Sequence, residues 1–231
     1  SATHRFGMEG NNLLLSAKRQ IAKYLSFTGC KEDEIILTSG ATESNNLAIK
    51  GYVERYKKRG KHLITTKVEH PSVLNVYKNF EQSGYDVTYL DVTPSGIDEN
   101  ALKSALRDDT ILVSIMAVNN EVGAIYDINK LAKIVKENSK AAFNQQAATY
   151  DKDIKGQHAR SLYPVLLEKL SHIPFQSALD LGCGTGEMLK LILQEDVGKE
   201  LYGIDLSEKM LHVAKSKLPE QVKLLLGDSE A

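Results

Sequence analysis

Gly182, Gly184 and Gly186 lie in the stretch Ser177–Gly186, SALDLGCGTG, and give the spacing G-x-G-x-G. Ala178, Leu179, Asp180 and Leu181 read as the end of a buried parallel strand, and Glu187-Met-Leu-Lys-Leu-Ile-Leu as the start of a helix. Glycines at such a strand-to-helix turn let the backbone bend sharply and let a ligand approach closely, while the helix N-terminus presents free N–H groups. Asp205 follows Gly186 by 19 residues, at the end of Leu201-Tyr-Gly-Ile-Asp. A carboxylate there accepts hydrogen bonds from both hydroxyls of a ribose diol. Asp228 follows the next apolar stretch, Val222 to Leu226. The alternative reading of Asp205 and Asp228 is that both are strand-end caps.

A second group of polar residues lies earlier. Ser39-Gly-Ala-Thr-Glu-Ser opens a helix, where Thr42 and free N–H groups suit either an anion or plain helix capping. His70 stands before Pro71 at another helix start, a capping position as much as a catalytic one. Asn119 and Asn120 close an apolar strand, where adjacent amides bind a carboxylate or satisfy a loop.

The elements that carry these residues alternate between strand and helix. Leu13, Leu14, Ala17, Ile21 and Leu25 share one face of a first helix. Strands are expected at 34–38, 61–66, 87–92, 110–118, 177–181, 201–205 and 222–226. Helices are expected from about Glu43 to Lys58, from Pro71, from Asp98, from Asp127 to about Glu137, from about Gln157 to Leu170, from Glu187 and from Ser207 to Lys217. Pro94-Ser-Gly is a turn. The nearly continuous apolar run of 110–118 fits a strand covered on both faces.

The 231 residues, 42% of them hydrophobic, suffice for one sizeable doubly wound domain or two small ones. A net charge of −1 gives no electrostatic reason to expect nucleic acid or an anionic membrane as partner. No apolar run approaches the ~20 residues of a membrane helix. Two cysteines, Cys30 and Cys183, fit a reducing cytosol and cannot build a disulfide framework or a Cys-based zinc site. The chain opens on Ser1 with no visible signal peptide, as a trimmed, cytoplasmic protein would.

Taken as blocks, SGATESNNLAIKG, HLITTKVEHPSVLN and LVSIMAVNNEVGAI, with SxxHRFGMEG at the start, resemble the pyridoxal-phosphate-dependent cysteine desulfurases of the fold-type I aminotransferase-like class. The resemblance covers residues 1–140. It implies that Ala41 and Thr42 bind the cofactor phosphate, that His70 stacks on the pyridine ring and relays protons, and that Asn120 holds the substrate carboxylate. The pattern then stops. The family's ring-nitrogen aspartate, Schiff-base lysine and persulfide-forming cysteine have no counterpart here, and without the lysine no covalent cofactor link forms.

After a seam near Asn138 to Phe143, AFNQQAATYDK, LDLGCGTGE, GIDLSEKMLHVAK and LLLGDSEA resemble the first half of a class I S-adenosylmethionine-dependent methyltransferase, over residues 141–231. This resemblance implies that Asp180 and the loop of Gly182, Gly184 and Gly186 surround the methionine part of the cofactor. Asp205 would hold the ribose and Asp228 the adenine amino group. A helix beginning near Phe143 would lid the site, with Tyr150 as its contact. The segment stops just past its third strand, before an acceptor pocket.

The expected architecture is α/β and Rossmann-like: one doubly wound, mostly parallel sheet of about seven strands, ordered 87–92, 62–66, 111–117, 177–181, 201–205, 222–226, 35–38. The two fragments, 1–140 and 141–231, would pack as one domain. The functional expectation is an engineered chimera without complete catalytic machinery that retains S-adenosylmethionine. The alternatives are a methyltransferase of unknown acceptor and a remnant that binds pyridoxal phosphate non-covalently. A small-molecule cofactor is the expected partner.

Overall fold

The computed structural model describes residues 4–25, 29–93, 96–153, 156–196 and 198–228. Pro94 and Ser95 of the expected turn, Ser1 of the first block and residues 229–231 of the last lie outside the described residues. The chain forms two compact units, residues 1–48 and 49–231.

In the first unit, α1 (Arg5–Tyr24) carries the expected apolar stripe, yet none of its residues is buried. A 3-10 turn at Glu32–Glu34 follows, tied to α1 by the Arg19–Glu32 pair at 2.9 Å. Residues 35–38 are not a strand. Their apolar run of Ile35, Ile36 and Leu37 suggests one, but a strand needs a ladder partner for its N–H and C=O groups. None pairs with this segment among the described residues, and Ile36 is 69% exposed. Helix α2 (Ala41–Tyr56) then runs from the first unit into the second.

The second unit begins with a parallel sheet of order β2-β1-β5, made of β1 (His62–Thr66), β2 (Asp86–Leu90) and β5 (Thr110–Val113). β1 is buried along its whole length, because both faces are covered. Ile49 and Val53 of α2 and Val73, Val76 and Tyr77 of α3 (Pro71–Gln82) pack with Leu63 on one face. Leu102 of α4 (Glu99–Ala105) and Leu131 and Ile134 of α5 (Ile128–Gln146) pack with Ile64 on the other. A short antiparallel pair, β3 (Val92–Thr93) and β4 (Gly96–Ile97), leads into α4, which Asp98 caps as expected. β5 ends at Val113, not near Val118. The chain beyond it is held by side chains: Thr65 Oγ1 donates to the Ser114 carbonyl at 2.9 Å, and Glu69 Oε1 accepts from Met116 N at 2.7 Å.

The second sheet has order β6-β7-β8, from β6 (Ser177–Leu181), β7 (Glu200–Asp205) and β8 (Lys223–Leu226), all parallel. One face is filled by Leu189, Ile192 and Leu193 of α7 (Glu187–Glu195) and Leu211 and Ala214 of α8 (Glu208–Lys217), with Leu167 and Leu170 of α6 (Gln157–Ser171) beside them. On the opposite face Leu181, Ile204 and Leu225 lie in register across the three strands, with Leu181 and Leu225 each 56% exposed.

The seven-stranded sheet is therefore corrected to two three-stranded sheets. The strand orders within each fragment are those expected; the joins β5/β6 and β8/35–38 are not made. Instead, the outer edge of β5 faces a cavity walled by α5 and the start of α6. A second correction concerns the seam. Helix α5 runs unbroken across Asn138 to Phe143, where one helix was expected to end and another to begin. Its sequence has no Gly or Pro between Ile128 and Gln146, so nothing interrupts the ladder. Its first half packs on the first sheet, and Asn144 near its end accepts from Ser207 Oγ at 2.7 Å and from Lys209 N at the start of α8.

Candidate functional site

The carboxyl ends of β6, β7 and β8 lie side by side, so Asp180, the glycine loop, Asp205 and Asp228 gather along one sheet edge. Gly182, Gly184 and Gly186 all adopt positive φ, at 78°, 53° and 74°. A side chain at any of them would be strained. Their surroundings differ. Among the described residues, chain neighbours aside, no atom lies within 4 Å of the Cβ position of Gly182 or Gly184, whereas that of Gly186 would meet Leu218 Cδ1 at 2.6 Å and Ala214 Cβ at 3.0 Å. The first two glycines therefore expose backbone to an approaching ligand, and the third lets α7 pack against α8.

The loop is braced by β7. The N–H groups of Gly182 and Cys183 both donate to the Ile204 carbonyl, at 2.8 and 3.0 Å. Asp205 Oδ2 accepts from Gly184 N and its Oδ1 from Ser207 N, both at 2.8 Å. A carboxylate has about four lone-pair sites, so these two bonds leave room for further donors. No side chain caps α7, whose first N–H groups follow the loop directly. Thr185 is buried and donates to Asp151, which also pairs with Lys217. Spacing offered no signal for Asp151 or Lys217: Asp151 lies far upstream in the connection from α5, and only folding brings it to the loop.

Negative charge accumulates here. Burial and then repulsion by Asp205 raise the pKa of Asp180. Burial, reinforced by Asp205 and Asp180, pushes the Cys183 thiol up to about 12. The Tyr163 hydroxyl is likewise pushed up to about 12, chiefly by burial, with Tyr150, Asp151, Asp180 and Glu187 adding to it. Asp228 is half-buried and pairs with Lys136 of α5 at 3.1 Å. Tyr150 meets Phe143 edge-on at 6.3 Å. The segment from Phe143 to Gln146 is the last turn of α5 rather than the start of a separate lid helix.

The other set of residues belongs partly to residues 1–48 and partly to residues 49–231. Ala41 and Thr42 are exposed at the start of α2, in the part of that helix belonging to residues 1–48. There Glu43 reaches back to accept from Ser39 N at 2.7 Å and Ser39 Oγ at 2.6 Å, so a carboxylate already supplies the capping charge. Those two bonds lower the Glu43 pKa. His70 and Asn120 belong to residues 49–231, and both are exposed. His70 caps α3, its Nδ1 accepting from Ser72 N at 3.1 Å. Asn119, not Asn120, is the buried amide: its Oδ1 accepts from Glu121 N and Val122 N, closing the turn.

The sequence of residues 1–150 matches the model of aminotransferase class-V proteins, and the chain belongs to that family. A methyltransferase-domain model matches residues 178–231. The chain is 48% identical over 149 residues to the cysteine desulfurase IscS of Colwellia psychrerythraea, covering 64% of this chain and 36% of that protein. It is 47% identical over 149 residues to the IscS of Neisseria meningitidis serogroup C, with the same coverage. It spans about a third of the length of these curated relatives. Among solved structures, a "NIFS-like protein" aligns with a TM-score of 0.55 at 38% identity, over 60% of this chain and 37% of that one. "SspA in complex with cysteine" aligns with a TM-score of 0.53 at 38% identity, over 60% and 40%. Desulfurase-like and methyltransferase-like segments thus stand in tandem.

Proposed function

We propose that the chain is an engineered fusion whose remaining activity is to bind S-adenosylmethionine at the Gly182–Gly186 loop, without turnover. The observation that carries this reading is the pairing of open glycine backbone with converging carboxylates. Gly182 and Gly184 leave space above them, and Asp180 and Asp205 are close enough for one to raise the other's pKa. Such a field favours a ligand with a sulfonium cation and ribose hydroxyls over one that brings phosphate. Asp205 would take the ribose, Asp228 the adenine amino group, and Asp180 with the loop the methionine part.

Pyridoxal phosphate is the weaker candidate. Glu43 accepts from Ser39 N and Ser39 Oγ just before α2, so a carboxylate stands beside the position implied for the phosphate. Residues 1–231 contain no match to the segment bearing the Schiff-base lysine. In this reading the partner is a small-molecule cofactor, without nucleic acid or membrane, in a reducing cytoplasm. Among the described residues no helix is long and apolar enough to cross a membrane.

Isothermal titration with S-adenosylhomocysteine tests the proposal. The expected result is saturable one-site binding that is lost in Asp205→Ala while a cooperative thermal transition remains. No heat from the folded parent protein would overturn it.

A further inference from the structure

One cavity among the described residues lies apart from the glycine loop. It lies along the outer edge of β5, has a volume of about 970 Å³ and is walled by α2, α5 and the start of α6. That is the upper range for small-molecule sites. Ile111, Val113, Leu131, Val135 and Ala142 give it an apolar interior, all of them buried or half-buried.

Its rim is different. Lys58 and Arg59 follow the end of α2, and neither makes an ion pair among the described residues. Arg59 is placed over the Tyr56 ring, 5.1 Å from its centroid, and Tyr52 meets Tyr56 at 4.4 Å with the rings tilted by 43°. The other rim cations are already paired: Arg107 with Asp86 and Asp109, and Lys136 with Asp228. A guanidinium held on an aromatic face above an apolar chamber is suited to a carboxylate, sulfonate or phosphate head whose tail enters the chamber. Tyr150 forms part of the wall and lies within electrostatic reach of both Arg59 and Asp205, so the chamber and the glycine loop are neighbours without sharing their polar groups.

We infer that this chamber is a binding site for an elongated apolar anion, with its tail against β5 and α5 and its head on Arg59. The inference does not depend on cofactor binding at the glycine loop.

Decanoate, below its micellar concentration, is the probe, and decan-1-ol the uncharged comparison. Titration of decanoate is expected to give one saturable site that S-adenosylhomocysteine leaves unchanged. Arg59→Gln, at an exposed position, should weaken decanoate about tenfold, the loss of one charge-assisted contact, and leave decan-1-ol unaffected. Ala132→Trp, on the chamber wall at an exposed position of α5, should abolish binding of both. The inference is overturned if decanoate shows no saturable binding, or if its affinity is the same in both variants. It is equally overturned if binding is lost in Leu181→Lys but kept in Ala132→Trp, which would locate the probe on the second sheet. A sedimenting dimer that takes up no decanoate would mean that a second copy fills the chamber.

Discussion

Glu69 illustrates how a buried carboxyl can organise a loop at a cost in charge. It is 6% exposed, and its Oε1 accepts from Met116 N at 2.7 Å and Thr66 Oγ1 at 3.1 Å. Burial raises its pKa above the usual carboxylate value, outweighing those two hydrogen bonds. In the folded state the protonated form is therefore favoured relative to the unfolded chain. The stabilisation tied to that proton is complete below the unfolded pKa and is lost as pH rises through the elevated folded one. Glu69→Gln keeps an acceptor for Met116 N and removes the charge. Its melting temperature relative to the parent protein should rise as pH is taken from about 4 to 7. A difference that stays flat or falls over that range would mean the carboxylate is not disfavoured by burial. Asp205 is placed to brace a loop as well: both of its oxygens accept from backbone N–H groups, so its first role in the ligand-free protein is to hold the glycine loop in shape.

At the level of elements, α5 is the piece on which both sheets depend. Ile128, Leu131 and Ile134 belong to the core of the first sheet, and Asn144 joins Ser207 in capping α8 of the second. The Asp127 cap and the first apolar turns were legible in the sequence; the continuation through Asn138 to Phe143 was not. The expected break came from the change of family resemblance, whereas the chain has no glycine or proline there to make one. The same contrast explains residues 35–38, whose β-branched and apolar residues read as a strand although none of the described strands pairs with them. The glycine loop was fully legible, because its signal is local: three left-handed positions between a strand and a helix. Asp151 and Lys217 were not, because their meeting with Thr185 of the loop is made by the connection between α5 and α6. Continuity of α5 has a direct test in Ala141→Gly, at an exposed mid-helix position. If the helix is continuous, the change should cost about 1 kcal/mol and lower the melting temperature by about 2–4 °C. An unchanged melting temperature would place a break at the seam.

For the whole molecule, the two sheets of the second unit differ in how they are enclosed. The first has a core on each face, and β1 is buried throughout. The second, among the described residues, has its core on one face, beneath α6, α7 and α8. Its other side presents Leu181, Ile204 and Leu225 in one row and Leu179 and Tyr202 in the next, with Lys223 positioned over the Tyr202 ring at 5.2 Å. Leu179 is also more than half exposed. A contiguous apolar face of this kind drives association, since water is released when two such faces meet. Each three-stranded sheet also has edge strands whose free N–H and C=O groups can pair with another chain. These features are independent, and one pair of substitutions separates them. Leu181→Lys with Leu225→Lys charges the centre of the face without touching a ladder hydrogen bond or the core beneath α7 and α8. The parent protein should self-associate as concentration rises, with a weight-average mass in sedimentation above that of one chain. The double variant should remain monomeric and lose no more than about 0.5 kcal/mol per site, as expected for surface changes. If the variant associates as strongly as the parent, the edges rather than the face drive assembly. If it unfolds, the face is internal to a packed structure.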